Sequence, residues 1–560
     1  MIRASPVRSI CWISSSRRDR LGDTPMLLTV VGLGSRSAGD DAVGLALVEA
    51  LSETANRPQV TPLLWEDADA LTLAHDLLQL PGPVIIVDCA EMGMEAGSWR
   101  FFPLEHDILA DHRGMISTHG LGMAEAVAMA RDLGYDHPIY LFGVQPFDLA
   151  ISPGLTPPMR QRLPAIQQGL CQTIDHLIPP TLPVQIRIPL ATPLKRSVLA
   201  MGIESKNALA LGRADEIFLF QPLGDTADPS ARTVLEDHAR WLLDGGDAAP
   251  KTIGVDLHPD MFPSVMGRRL AQERGLAVVA VQHHVAHAAA CMAEHGLQES
   301  LALVFDGMGW GGDATLWGAE LLHVRPGHGF RLGTFAPVPL PGGDAAVKNP
   351  YRQLLARWVD ADVAIDPNWC ATLGFSATEV QLWTHQCRHG LHAPLSHAAG
   401  RLFDAFAALL GIAPSAITCE GEPAMLLEAA AKRFVDDGSQ VQRLPFSLRQ
   451  DNDLLLVDFR DLIRQFPGGH RWTQDEIAYW AMAFHHTMVD AMVQMVHHGH
   501  ECTGLRSVVC SGGVFMNELV AAGLQMKLEQ EGYRVFQHQR IPPGDLSIAV
   551  GQAWIIGGEK

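Results

Sequence analysis

Five prolines crowded between residues 179 and 193 interrupt an otherwise steady alternation of short apolar strands and amphipathic helices. Proline lacks a backbone N–H and cannot sit inside a helix or a central strand. A cluster of them therefore predicts an extended linker over residues 179–195 between two separately folded modules. In the first module, strands are expected at Leu27 to Val31, Val84 to Val87 and Ile139 to Val144, with a helix from Asp41 to Ser52. That rhythm predicts a parallel α/β sheet with helices on both faces over residues 26–178. After the prolines it resumes at Val198 and runs to the C-terminus, dividing into lobes 196–375 and 376–560 with a hinge near 370–395. Residues 1–25, with Arg17-Arg18 after three serines, read as a disordered extension or an upstream start before Met26.

Composition removes several function classes. With 47% apolar and 19% charged residues the chain can bury ordinary cores. A net charge of -20 argues against a nucleic-acid or anionic-membrane surface. No apolar run reaches the roughly 18 residues that span a bilayer. Nine cysteines without a single C-x-x-C pair form neither a zinc finger nor a disulfide framework, which fits the reducing cytoplasm.

Three candidate ligands mark the first module. Its first strand runs through Gly32-Leu33-Gly34-Ser35 into Gly39-Asp40-Asp41-Ala42-Val43-Gly44. Two acids at a helix start repel a phosphate and favour a cation. Asp88 is expected to close the strand Pro83 to Val87 at the sheet edge where α/β folds place ligands. His119 lies in Ser117-Thr118-His119-Gly120-Leu121-Gly122. Asp41, Asp88 and His119 could share a borderline metal, or serve as two caps and a surface histidine.

The second module carries His283 and His287 in Gln282-His283-His284-Val285-Ala286-His287, a helix-forming string that puts i and i+4 on one face. Among 25 histidines such a pair arises by chance as readily as for a metal. An apolar strand, Ser300 to Phe305, delivers Asp306 into Gly307-Met308-Gly309-Trp310-Gly311-Gly312-Asp313. A second, Ser507 to Cys510, enters Ser511-Gly512-Gly513-Val514 ahead of a helix, and Asp545 precedes the last apolar helix. Two glycine turns after strands, one in each half, predict two lobes closing on a nucleotide.

Gly32-x-Gly34, Asp40-Asp41-Ala42-Val43-Gly44, Val87-Asp88, the Ser117 to Gly122 string and Gly143-Val144-x-Pro146 with Gly154-Leu155-Thr156-Pro157 resemble, in that order, the hydrogenase maturation proteases. The resemblance implies a nickel-recognising endopeptidase that trims the C-terminus of a hydrogenase large-subunit precursor, with Asp41, Asp88 and His119 contacting the nickel. Ser35 and Trp65-Glu66-Asp67-Ala68-Asp69-Ala70 depart from the family pattern.

Residues 196–560 resemble the C-terminal part of the HypF carbamoyltransferases. The likeness is carried by Gly202-x-Glu204-x-Lys206-Asn207, Asp256-Leu257-His258-Pro259-Asp260, the Gln282 to His287 string, Phe305-Asp306-Gly307, Pro339-Leu340-Pro341-Gly342-Gly343-Asp344, Gly400-Arg401-Leu402-Phe403-Asp404, Glu420-Gly421 and Ser511-Gly512-Gly513-Val514-Phe515-x-Asn517. It implies a two-lobed ASKHA (ATPase-like) fold in which His283, His287, Asp306 and Asp545 hold an iron or zinc ion. Lys206, Gly307, Gly309, Gly400, Asp404, Gly421, Ser511, Gly512, Gly513 and Asn517 would line an ATP or carbamoyl-adenylate site. The implied acceptor is the C-terminal cysteine of HypE, whose carbamoyl group becomes cyanide on the hydrogenase iron. No string here resembles the YrdC-like segment that makes the adenylate, so a YrdC-containing protein is the expected donor source. Leu546-Ser547 after Asp545, and His397-Ala398, depart from the HypF pattern. A docking scaffold for the protease and a small-molecule O-carbamoyltransferase are the alternatives.

Overall fold

The computed structural model describes residues 28–54, 60–104, 116–117, 120–150, 152–177, 182–244, 249–435 and 441–559. The expected extension 1–25, the start of the expected linker and His119 lie outside the described residues. The chain divides into two compact units at residues 181 and 182. Among the described residues no helix is long and apolar enough to cross a membrane.

The N-terminal unit is built on a sheet whose strands lie in the order Val60–Glu66, Leu28–Gly34, Val84–Glu91, Ile139–Val144, Trp99–Pro103. The first four are parallel and Trp99–Pro103 closes the edge antiparallel. Side-chain alternation along Leu28–Gly34 sends Leu28 and Val30 to one core, shared with helices Val43–Thr54 and Pro157–Leu177. Val31 and Leu33 go to the other, shared with Ala70–Leu77 and Gly120–Asp132. A strand buried on both faces is what its continuous apolar run dictates. Helix Val43–Thr54 lies so close that a Cβ on Gly44 would meet the carbonyl oxygens of Val87 and Leu33 at 2.2 and 2.4 Å. The strand carrying Asp88 continues to Glu91, four residues beyond its expected end at Val87, because Ile116–Ser117 pairs with Ala90–Glu91 and extends the ladder.

The C-terminal unit holds two sheets. One has the order Ala277–Val281, Thr252–Asp256, Val198–Ala200, Ala210–Arg213, Glu216–Phe220, Val184–Pro189. Its last strand corrects the expected linker. Val184–Pro189 pairs antiparallel with Glu216–Phe220, and the Pro183 carbonyl accepts from the Gln221 amide at 3.0 Å. Prolines 183 and 189 are tolerated because they flank an edge strand, and the alternation Val184, Ile186, Ile188 was the signal for it.

The other sheet has nine strands among the described residues and is centred on Ser300–Trp310, which pairs antiparallel with Leu316–Arg325 and parallel with Ser507–Ser511. That pairing also corrects the expected lobe boundary near 375, which would cut this sheet in two. The two sheets meet instead across residues 282–299. Ser300–Trp310 runs past its expected end at Phe305 as a hairpin, with an irregular register between Phe305 and Gly309. Between the sheets lie helices His283–His295 and Ile548–Gly557, in a core shared by Ile217 and Leu219 of one sheet and Ala302, Val304 and Val509 of the other.

A chain begun at Leu182 keeps the edge strand, and one begun at residue 196 loses it, leaving Glu216–Phe220 an unpaired edge and removing buried Ile188. The 196–560 form is expected to be less stable than 182–560 by about 2–5 kcal/mol. Equal urea midpoints for the two forms would show that the prolines belong to a free linker after all.

Candidate metal centre

Three local features bring four side chains to one point. Helix His283–His295 starts where it does because the Gln282 side-chain oxygen accepts from the Val285 amide at 3.0 Å, an N-terminal cap. His283 and His287 then share the face one turn apart. In Ser300–Trp310 the alternation that sends Ala302 and Val304 toward this helix sends Asp306 there too. Gly551 permits the last helix to lie against the histidine helix, since a Cβ there would sit 1.8 Å from the Ala286 carbonyl oxygen. That contact brings in Asp545, in the 3-10 turn Asp545–Ser547 at the start of the last helix.

One ligand atom from each of His283, His287, Asp306 and Asp545 lies within 4.8 Å of every other. Asp306 Oδ2 stands 3.4 Å from His283 Nε2 and 3.5 Å from His287 Nε2. Asp545 Oδ1 stands 3.8 and 3.7 Å from the same atoms. Ligands about 2.1 Å from a tetrahedral ion stand about 3.4 Å apart, so the spacing fits a first-row divalent cation. His287 Nε2 is buried without a hydrogen-bond partner, an orphan that a metal would satisfy. Two imidazoles and two carboxylates suit zinc or iron(II).

The electrostatics agree. Burial pulls His283 and His287 down, but Asp256 and Asp306 around the first, and Asp306 and Asp545 around the second, overcome it and hold both above the usual histidine range. Burial raises Asp306, yet His283 and His287 hold it well below the carboxylate range. The pocket thus favours positive charge facing its carboxylates. His284, buried on the next face and next to His283, is pushed well below its ordinary value and stays neutral.

Glycines shape the walls. A Cβ on Gly309 would stand 2.6 Å from His284 Cε1 and 3.0 Å from His283 Cδ2. Gly512, at φ +98°, turns the chain after Ser507–Ser511, and the Gly513 amide donates to Asp306 Oδ1 at 3.1 Å. One glycine turn therefore holds the aspartate that the other delivers.

Sequence reasoning assigned no role to Asp256, Ser547 or their contacts. Asp256 Oδ2 lies 3.4 Å from His283 Nδ1, and Ser547 Oγ lies 3.3 Å from His287 Nδ1. Asp256 ends the strand Thr252–Asp256, and that position, with the Asp256 to Asp260 string, was its signal.

The residues expected at a nucleotide fall into separate groups. Gly400 and Gly307 approach closely, a Cβ on the former meeting the latter's Cα at 3.2 Å. Beside them Arg401 Nη1 pairs with buried Asp404 Oδ2 at 2.8 Å, and burial raises the Asp404 carboxyl. Lys206 and Glu420, both exposed, form an ion pair at 3.0 Å that joins their two loops, with Gly421 next in the second. The Asn517 side chain faces inward, capping helix Glu518–Gln530 through Val520 N at 3.1 Å and meeting His485 Nε2 at 2.9 Å. Ser511 is buried beneath the metal site.

In the N-terminal unit Asp41 and Asp88 are both buried. Asp41 Oδ2 accepts from the Ser35 amide at 2.7 Å, and Asp88 Oδ1 from the Cys89 amide at 2.7 Å. Neighbouring Asp40 is structural, its carboxylate accepting from the amides of Phe147, Asp148 and Thr156 at 2.9, 3.2 and 2.8 Å. Cys89 is buried among these acids, and burial with the charge of Asp88 pushes its thiol far up, so it is no nucleophile.

The profile of the carbamoyltransferase Kae1-like domain, second subdomain, matches residues 302–552, that of the HypF Kae1-like domain residues 193–294, and that of the hydrogenase maturation protease residues 46–173. A carbamoyltransferase HypF homolog from Cupriavidus necator is 35% identical over 364 residues, covering 64% of this chain and 91% of the relative. The other HypF relatives are matched over about half their length, 46% for carbamoyltransferase HypF2 of the same organism. The hydrogenase 2 maturation protease of Escherichia coli is 28% identical over 147 residues, 26% of this chain and 89% of that protein. The crystal structure of full-length HypF in the phosphate- and nucleotide-bound form is 26% identical with a TM-score of 0.58, covering 66% of this chain and 56% of that one.

Gly309→Ala is expected to displace the site histidines and weaken zinc binding at least about tenfold, since ligand placement governs affinity. Zinc titration against a competing chelator measures it. Parental affinity in this variant would mean that Gly309 does not shape the site.

Proposed function

The chain belongs to the carbamoyltransferase HypF family and carries a hydrogenase maturation protease domain ahead of its transferase unit, and on that premise we propose that it serves [NiFe]-hydrogenase maturation twice over. The C-terminal unit transfers a carbamoyl group from carbamoyl-adenylate to the C-terminal cysteine of HypE. The N-terminal unit cleaves the hydrogenase large-subunit precursor after reading its nickel. The convergence of His283, His287, Asp306 and Asp545 carries the first part.

In this reading those four residues hold an iron or zinc ion, which supplies Lewis acidity at the carbamoyl oxygen or the phosphate. Asp306 keeps its place through the Gly513 amide. The side-chain-free surface where Gly307 and Gly400 meet admits the adenylate, next to the buried Arg401–Asp404 pair. Lys206 contributes positive charge near the phosphate, its ammonium kept protonated by Glu420. The HypE thiolate forms a C–S bond at the carbamoyl carbon, the bond from that carbon to the phosphate oxygen breaks, and AMP leaves with the electron pair. The adenylate is supplied from outside, by a YrdC-containing protein.

The metal-loaded chain, mixed with HypE and synthetic carbamoyl-adenylate, is expected to add one carbamoyl group to HypE by intact mass. His283→Ala with His287→Ala should lose both the metal and the transfer. A metal-free double variant that still carbamoylates HypE refutes the mechanism. A parent chain that binds metal and never transfers identifies a docking scaffold instead.

For the protease, Asp41 and Asp88 contact the nickel of the precursor, which is substrate and not a resident cofactor; His119 is assigned with them. Asp41→Ala and Asp88→Ala should each slow cleavage of nickel-loaded precursor at least about tenfold. Cleavage at the parental rate by both variants would remove these residues from nickel recognition.

A further inference from the structure

Beneath the metal centre runs a line of buried polar groups that the transfer reaction does not use. Glu294 lies on the same helix as His287, two turns further on, with its side chain only 3% exposed. Its Oε1 accepts from the Gln539 amide at 3.0 Å and from the Arg540 amide, and its Oε2 stands 3.2 Å from His538 Nδ1. His538, 1% exposed, puts Nε2 2.9 Å from Ser511 Oγ. Ser511 Oγ in turn lies 3.5 Å from His287 Nδ1 and 3.4 Å from the Pro543 carbonyl oxygen.

With His538 neutral, one proton arrangement satisfies the whole line. A carboxylate accepts and cannot donate, so the His538 nitrogen facing Glu294 carries the hydrogen. Burial holds His538 below the usual histidine range, so it is neutral and its Nε2 is an acceptor. The Ser511 hydroxyl therefore donates to His538, its shortest contact, and offers its lone pairs to His287. With a metal ion in place of the Nε2 proton, His287 Nδ1 keeps its hydrogen and donates it to Ser547 Oγ at 3.3 Å or to Ser511 Oγ at 3.5 Å.

We propose that Glu294, His538 and Ser511 are positioning residues that hold the Nδ1 side of His287 on buried hydroxyls and so keep Nε2 aimed at Asp306 and Asp545, where a metal ion takes the place of its proton. The line extends the familiar carboxylate–histidine support of metal ligands by two links. Asp256 Oδ2 stands 3.4 Å from His283 Nδ1 without a hydrogen bond between them, so a carboxylate lies behind each histidine. The inference rests on the reading of these four side chains as a metal site.

Zinc affinity of the full chain, read by chelator competition, separates the two claims. Ser511→Ala breaks the line, and Glu294→Gln keeps its shape but loses the obligate acceptor; each should weaken zinc binding about 10–100-fold. Ser511→Thr, which keeps a hydroxyl, should restore the parental affinity, a rescue that a packing role alone would not give. Parental affinity in both Ser511→Ala and Glu294→Gln overturns the relay, as does a Ser511→Thr variant no better than Ser511→Ala. A parent chain that takes up no zinc, iron(II) or cobalt(II) overturns the metal reading itself.

Discussion

The contact between Gly551 and the Ala286 carbonyl is the constraint on which the rest of the C-terminal unit depends. It sets the last helix against the histidine helix at backbone distance, something no residue with a side chain permits. The pair forms the core between the two sheets, among Ile217, Leu219, Val304 and Val509. The same contact fixes where Asp545 stands relative to histidines more than 250 residues earlier in the chain. Fold and site are thus one packing problem, because displacing the last helix would open the core and withdraw Asp545 together.

The cluster of His283, His287, Asp306 and Asp545 was legible in the sequence to the extent that it follows local periodicity. Helical spacing put His283 and His287 on one face, and the short turn before an apolar run located Asp545. What remained unread depended on partners remote in sequence. The strand carrying Asp306 does not stop at Phe305 because Leu316–Arg325 pairs with it past Gly309. Nothing between residues 306 and 310 announces that. Asp256 stood in the sequence only as part of the Asp256 to Asp260 string, and the fold sets it beside His283. In the N-terminal unit the strand with Asp88 ran longer than expected for the same reason.

The two organisational expectations that changed both came from giving proline and spacing more weight than alternation. Val184, Ile186 and Ile188 alternate with Gln185 and Arg187 as an edge strand should, and the prolines merely bound it. The lobe boundary was sought midway along the second module, whereas the sheets change across the histidine helix. Placing a helix between two sheets lets it bury every face. Val285 to Ala293 are buried without exception, and this accounts for a run of small apolar residues that an amphipathic surface helix would not carry.

The departures from the HypF pattern acquire a different meaning in three dimensions. Leu546-Ser547, after Asp545, is one such departure. In the structure the Ser547 hydroxyl lies 3.3 Å from His287 Nδ1 and is fully buried. A buried hydroxyl without a partner costs about 1–3 kcal/mol, and here the histidine nitrogen supplies the partner. Its partner is a histidine whose other nitrogen faces Asp306 and Asp545. A turn that had simply lost its function would have no need to aim a polar group at the one atom that supports the orphaned nitrogen. The substitution therefore strengthens the case for an intact centre.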